Sequence, residues 1–321
     1  MWPELFTIFG LPLRSFGFFV ALGFIVGVQV ASWLSKRYGS DPEHDAQRIP
    51  DLSWAALIGV IAGARLAYVL VNLPYYLEHP VEIFQIWQGG LVMYGGMILA
   101  LVLGIRKARQ LGMQIWQTAD YCLTGAFLGQ AIGRIGCLMV GDDYGKVVPD
   151  LPGGGTPWYA IRFPDPLPAG SAFPPELVGL AVHATQPYMT AKALIVFAIG
   201  MWLLPRTRFH GQVTCVLLMA YAVLRAIVEL FRGDAEARGG IYKEGLAPED
   251  VHARLAELGV ATPQGRILDP VGYRDLLRQG VEGVQAELLV STSQMVAIVT
   301  FTIAAILYQR LRARSGPGIA V

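Results

Sequence analysis

Seven stretches of this 321-residue chain are apolar enough to leave water: approximately residues 15–34, 52–71, 90–105, 118–140, 190–204, 213–231 and 293–308. A backbone in hydrocarbon must satisfy its own hydrogen bonds, which only helices and closed barrels do. Runs near 20 residues, the length a helix needs to cross about 30 Å of lipid, select helices, although the third and fifth are short for an untilted span. Composition agrees. Hydrophobic residues make up 54% of the chain and charged residues 15%, with mean hydropathy +0.47; soluble domains carry about 25% charge. The expected fold class is an all-α integral membrane protein with seven transmembrane helices. A formal net charge of +1 argues against nucleic-acid binding. The cysteines, Cys122, Cys137 and Cys215, all fall in apolar stretches and match neither a disulfide framework nor a metal motif. The first stretch lacks a basic leader and is long enough to span, so it reads as a retained helix rather than a cleaved signal.

Basic residues in the links set the expected orientation. Lys36, Arg37 and Arg48 follow the first helix, Arg106, Lys107 and Arg109 the third, Arg206 and Arg208 the fifth, and Arg310, Arg312 and Arg314 the last, while residues 72–89 carry no Lys or Arg. Positive links stay cytoplasmic. The N-terminus is therefore expected outside and the C-terminus inside. The resulting division is a core of helices one to six within 1–232, including an outer loop at 141–189, then an extracytoplasmic cap at 233–290, then the last helix and a basic cytoplasmic tail at 291–321. The loop is rich in Gly, Pro and aromatics, with a short strand expected near 158–163. In the cap, PEDVHARLAELGV and DPVGYRDLLRQGVEGVQAELL each read as an amphipathic helix, either as a solvated insertion or as a gate for substrate.

Charged side chains inside spans cost about 3 kcal/mol or more, so they face a cavity, a partner or a bound ion. Arg65, Arg134, Arg225 and Arg232 lie within or at the edge of apolar stretches. Helices two, four and six all run outward in this topology, and each delivers one or two of these arginines near its outer end. Arg225, Glu229 and Arg232 share one helix face. Four cations at one depth suggest an anion site, and at a membrane the available anion is a lipid phosphate. Simpler roles stand beside this one: Arg225 and Glu229 as a structural ion pair, Arg65 paired with Asp120 or lying under a loop, Arg232 snorkelling to the interface. Tyr94, between the glycine pairs 89–90 and 95–96, is expected to point toward the arginines or to serve as an interfacial belt residue.

The segment GRIGCLMVGDDYG at 133–145 resembles the signature G-R-x-G-N-F-x-N-G-E-x-x-G of the phosphatidylglycerol–prolipoprotein diacylglyceryl transferase family. The likeness continues in order along the chain: GARLAYVL at 63–70, WQGGLVMYGG at 87–96, HATQPY at 183–188, RAIVELFRGD at 225–234 and STSQMVAI at 291–298. The resemblance implies a seven-helix membrane transferase of the bacterial inner membrane. It would move the diacylglyceryl group of phosphatidylglycerol to the lipobox cysteine of a preprolipoprotein, form a thioether, release glycerol phosphate, and use no cofactor or metal. By position, Arg134 and Arg232 are expected to hold the phosphate and leaving group, with Tyr94 and Asp142 completing the catalytic set. The substrate-contacting set is Arg65, Gly145, Arg225, Glu229, His183, Gln186, Asp143, Phe16, Cys137 and Asp234. The chain departs from the family pattern where Phe16 replaces Tyr, Tyr94 replaces His, Cys137 and Val140 replace Asn, Asp142 replaces Glu, and Met189 stands where Glu is expected.

The base is the open step. A histidine titrates near neutrality, whereas tyrosine does not at its usual pKa of about 10. Candidates are Tyr94, Asp142, Asp143 and Asp234; the favoured alternative is that the arginine field alone ionises the acceptor thiol. Cys137 is read as a small buried residue rather than a nucleophile. A paralogue with altered or lost activity that binds lipid or lipoprotein remains an alternative, as does an anion or lipid transporter, although no internal repeat is visible.

Overall fold

The structure, a computed structural model, describes residues 1–8, 11–86 and 89–315. Trp87 and Gln88, which begin one motif, and residues 316–321 of the expected tail lie outside the described residues. The chain opens with an antiparallel hairpin, β1 (Glu4–Ile8) and β2 (Leu11–Arg14), which the sequence reading did not foresee. The helices α1 (Ser15–Tyr38), α2 (Pro42–Val71), α3 (Leu73–Glu78), α4 (Met93–Gln110) and α5 (Ile115–Val140) follow. Beyond a loop containing β3 (Ala160–Arg162) and β4 (Ala181–His183) come α6 (Thr185–Leu203) and α7 (Gln212–Glu229). The remainder is α8 (Ala235–Arg238), β5 (Gly240–Tyr242), α9 (Pro248–Glu257), α10 (Pro270–Arg278), β6 (Leu288–Ser291) and α11 (Thr292–Arg314). Three two-stranded sheets, β1–β2, β3–β4 and β5–β6, accompany a mostly helical chain among the described residues.

Among the described residues, six helices are long and apolar enough to cross a membrane: α1, α2, α5, α6 extended to Arg206, α7 and α11. The third expected span, residues 90–105, falls on the 18-residue helix α4, which carries Arg106, Lys107 and Arg109 near its end and falls short of that standard. Side-chain distribution is inverted relative to a water-soluble protein. Trp54, Ile58, Leu101, Ile195, Ile298 and Ile303 are exposed, whereas Asp45, Arg65, Asp120, Gln186, Lys192 and Glu229 are buried. This is the pattern expected when the solvent is hydrocarbon. Helices also outrun the apolar stretches that announced them. The helix expected at 52–71 starts at Pro42, where Asp41 caps it by accepting from the His44 N–H and proline occupies the first turn. Such a turn needs no apolar face.

The described chain divides into two compact units. One comprises Met1–Val26, Phe127–Ile199 and Cys215 to the end of α11; the other comprises Gly27–Ala126 and Gly200–Thr214. In the second unit, α2 and α4 pack through glycine. A Cβ on Gly63 would stand 2.4 Å from the Gly95 carbonyl oxygen, and one on Gly96 would stand 2.7 Å from that of Val60. Small residues let helix backbones meet where no hydrophobic effect drives association. Asp120 on α5 accepts from the Gly211 and Thr214 N–H groups and the Thr214 hydroxyl, each at 2.7 Å, and so caps α7. It is therefore not the partner of Arg65.

In the first unit, the loop after α5 and the segment between α7 and α11 share one hydrophobic core. Phe163, Phe173, Leu180 and Val182 from the loop pack with Val251, Leu255, Tyr273 and Val284. Arg274 Nη1 donates to the Val178 carbonyl at 3.0 Å across the same junction. The two long polar segments therefore form a single body. The second cap helix is shorter than expected. It stops at Arg278; Gly280 and Gly283 take left-handed φ of 66° and 82°, and the chain then returns as β6 beside β5.

The glycine seam gives a controlled test. Gly63→Ala forces a methyl group into the Gly95 backbone and is expected to lower stability by about 1–3 kcal/mol. Gly104→Ala, on α4 with nothing within 4 Å of the added carbon, is expected to be neutral or slightly stabilising. Thermal unfolding of detergent-purified variants measures both.

Candidate functional site

Five elements of the first unit converge on one ionic chain. Arg134, in the last two turns of α5, donates through Nη1 to Asp143. Asp143 also accepts from Arg232 at 2.5 Å. Arg232 forks onto Asp234, with Nε 2.9 Å from Oδ1. Asp234 pairs with Arg238 of α8 at 3.1 Å, and Arg238 Nη1 reaches Glu229 Oε1 at 2.7 Å. Glu229 takes Arg225 on its other oxygen. Arg225 ends the chain by donating to the Ser293 hydroxyl at 3.0 Å. Four guanidiniums thus alternate with three carboxylates, leaving one net positive charge. The Glu229 side chain is only 1% exposed, whereas that of Arg134 is 25% exposed. Among the described residues, Arg134 donates only through Nη1, which leaves its Nε and Nη2 without an acceptor at the most exposed end of the chain.

Backbone pairing fixes this arrangement. Gly145 forms an isolated β-bridge with Arg232: the Gly233 N–H donates to the Tyr144 carbonyl at 3.0 Å and the Lys146 N–H to that of Phe231 at 2.9 Å. The signature loop is thereby sewn to the end of α7. Only glycine fits at Gly145, where a Cβ would lie 2.3 Å from the His183 carbonyl oxygen. From the start of α6, the Thr185 hydroxyl donates to the Asp143 carbonyl and Gln186 Nε2 to that of Asp142 at 2.7 Å. Asp143 itself adopts φ of 55°, a left-handed conformation that Asp tolerates better than most residues. Burial pushes its carboxyl up, but Arg232 and Arg134 outweigh burial and hold it below the usual carboxylate range. Burial opposes the charge on Arg232, and its bonds to Asp234 and Asp143 more than restore it.

The predicted residues fall into distinct places. Arg134, Asp143, Arg225, Glu229, Arg232 and Asp234 are joined in the ionic chain. Gly145 and Gln186 hold its loop through backbone contacts. Cys137 is buried with its sulfur 3.7 Å from Arg134 Nη1. Asp142 and Phe16 line an open cavity of about 410 Å³ together with Arg14, Glu4 and Val140. Burial and the neighbouring Asp143 raise the Asp142 carboxyl above its ordinary value. His183 sits in an aromatic nest, its ring centre 5.0 Å from that of Phe231 and 5.4 Å from that of Tyr159; burial, then Lys146, lower its pKa.

Arg65 and Tyr94 belong to the other unit. There Arg65 donates to the carbonyls of Ile83 at 2.8 Å, Glu82 at 2.5 Å, Gly89 at 2.9 Å and Gly90 at 3.2 Å, binding the link before α4. Tyr94 lies half-buried in the first turn of α4. Sequence reading missed Arg238, Ser293 and Lys192. The Asp234–Arg238 spacing of four residues was a visible signal for the first, and a lone lysine within an apolar span was one for the last.

A depressed carboxyl contributes stability that is fully present above its unfolded-state pKa and is lost as pH falls through the folded value. Acidification below about pH 4 is therefore expected to destabilise the protein. Asp143→Asn is expected to cost about 2 kcal/mol at neutral pH and to flatten that acid limb. Unfolding midpoints measured from pH 3 to pH 7 check both outcomes.

The family model for prolipoprotein diacylglyceryl transferase matches residues 3–260. Among similar proteins, the phosphatidylglycerol–prolipoprotein diacylglyceryl transferase of Geobacter sulfurreducens is 32% identical over 232 residues, covering 72% of this chain and 82% of the relative. That of Proteus mirabilis is 31% identical over 255 residues, covering 75% and 83%. That of Thermus thermophilus is 32% identical over 225 residues, covering 68% and 79%. With the signature loop sewn onto an arginine-bearing helix end and this likeness across most of its length, the chain belongs to the prolipoprotein diacylglyceryl transferase family.

Proposed function

We propose that this protein transfers the diacylglyceryl group of phosphatidylglycerol to the lipobox cysteine thiol of preprolipoproteins, forming a thioether and releasing glycerol phosphate. The single observation that carries this reading is the alternating ionic chain from Arg134 to Arg225, with its net positive charge and the open edge of Arg134. A lipid phosphodiester is an anion that such an edge accepts bidentately. The carboxylates Asp143, Asp234 and Glu229 hold the guanidiniums in place before substrate arrives, so little reorganisation remains at the moment of reaction.

As sulfur attacks the glycerol methylene, the carbon–oxygen bond to phosphate breaks and negative charge grows on the phosphate. Donors preorganised at developing charge are each worth about 3 kcal/mol, and Arg134 and Arg232 are assigned that role. Holding thiol and lipid together supplies a further entropic share. The open cavity beside Asp142 and Phe16 gives the substrates a route toward the chain. In this reading all seven long helices span the bacterial inner membrane, α4 included, with the N-terminus outside as the basic links require. The body formed by the loop and the 233–290 segment then stands on the outer face, where prolipoproteins emerge.

Purified protein, labelled phosphatidylglycerol and a lipobox peptide are expected to yield a thioether adduct detectable by mass. Arg134→Ala is expected to lose 100-fold or more in rate, about 3 kcal/mol of transition-state stabilisation, whereas Tyr94→Phe and Cys137→Ala keep substantial activity. A fully active Arg134→Ala enzyme, or a lipid adduct on Cys137, contradicts the assignment.

A further inference from the structure

Among the described residues, Lys192 is the one buried cation of the first unit that the ionic chain does not absorb. It lies in α6, seven residues beyond Thr185, and is only 3% exposed. Its Nζ has no hydrogen-bond partner among the described residues, and no carboxylate there pairs with it. The nitrogen sits 4.1 Å from the centre of the Tyr221 ring. Arg225 and Arg134 face it with positive charge, Asp143 and Glu229 with negative charge. Gln130, one helical turn before Arg134 on α5, also leaves its side-chain carbonyl oxygen buried without a partner. Unmatched polar atoms in a protein interior call for an explanation.

We propose that the Lys192 amine is the base that receives the proton of the attacking cysteine thiol. This rests on the transferase reading above and supplies its missing step. Tyr221 precedes Arg225 by one turn of α7, so the amine against its ring lies about one turn, about 5.4 Å of helix rise, to the membrane side of the Arg225 backbone, with Arg225, Arg134, Asp143 and Glu229 as its charged neighbours. Displacement at a saturated carbon is in line: sulfur enters opposite the departing oxygen. With the phosphate held at Arg134 and Arg232, the methylene is placed membrane-ward of it and the sulfur further still, toward Lys192, which has Arg134 among its charged neighbours. The field of the arginines does not replace a base, because three carboxylates reduce four guanidiniums to one net charge.

The step balances. The thiol proton passes to Nζ, sulfur bonds to the glycerol carbon, and the carbon–oxygen pair leaves with glycerol phosphate. The ammonium proton then moves to that phosphate, which restores the amine. A buried amine without a counter-ion suits this cycle, since an isolated ammonium is costly to bury while an amine is not.

The test compares Lys192→Met and Lys192→Arg in the full-length protein with two lipobox peptides, one bearing cysteine and one selenocysteine, whose selenol is ionised at neutral pH and needs no base. With the cysteine peptide both variants are expected to slow by about 100-fold or more, because arginine keeps the charge but does not accept a proton. With the selenocysteine peptide both are expected to approach the native rate. A Lys192→Arg enzyme at native rate with cysteine overturns the proposal in favour of a fixed charge. An equal deficit with both peptides overturns it in favour of a packing or lipid-holding role. Should Lys192→Met not fold, Lys192→Gln carries the same comparison. Native protein that forms no adduct with either peptide sinks the transferase reading itself, and this inference with it.

Discussion

The interaction on which the rest depends is the alternation of guanidinium and carboxylate from Arg134 to Arg225. Each charge would be costly to hold in a membrane protein alone, and each acid between two arginines lowers that cost for both neighbours. The arrangement also sets geometry. Glu229 fixes Arg225 and Arg238, Asp234 fixes Arg238 and Arg232, and Asp143 fixes Arg232 and Arg134. The Arg134 end is the most exposed part of the chain, and in the proposed function it is the end that takes the phosphate.

The secondary structure around this chain serves its placement. Gly141, with φ of 79°, ends α5 and turns the signature loop back. The Gly145–Arg232 bridge then ties that loop to the end of α7. Ser291 begins α11 with a capping box completed by Gln294, which sets Ser293 beside Arg225. Elsewhere, glycine rather than apolar burial brings α2 and α4 together, as expected where lipid is the solvent.

Much of this was legible in the sequence, for reasons that differ by element. Apolar runs located all seven long helices, six of which are long and apolar enough to cross a membrane among the described residues, because a backbone in hydrocarbon must satisfy its own hydrogen bonds. They misplaced the starts of α2 and α6, which begin with polar residues whose role is capping or loop anchoring. The arginines on α5 and α7 stood out because charge is rare in spans. Their carboxylate partners were harder to read: Asp143 and Asp234 looked like candidate bases, yet their oxygens are taken by arginine. The β1–β2 hairpin and the core shared by the loop and the 233–290 segment depend on contacts between distant stretches, which periodicity does not reveal. Lys192 stands alone in the apolar run of α6, without the clustering that marks the arginines.

The central claim is that the open guanidinium edge grips a lipid phosphate. Native mass spectrometry of the detergent-purified protein, titrated with phosphatidylglycerol or with diacylglycerol of the same acyl chains, tests it most directly. The account predicts that phosphatidylglycerol is retained far more strongly than diacylglycerol, and that Arg134→Gln abolishes this difference while the protein stays folded. Equal retention of the two lipids by the native protein, or an undiminished preference in Arg134→Gln, would contradict it.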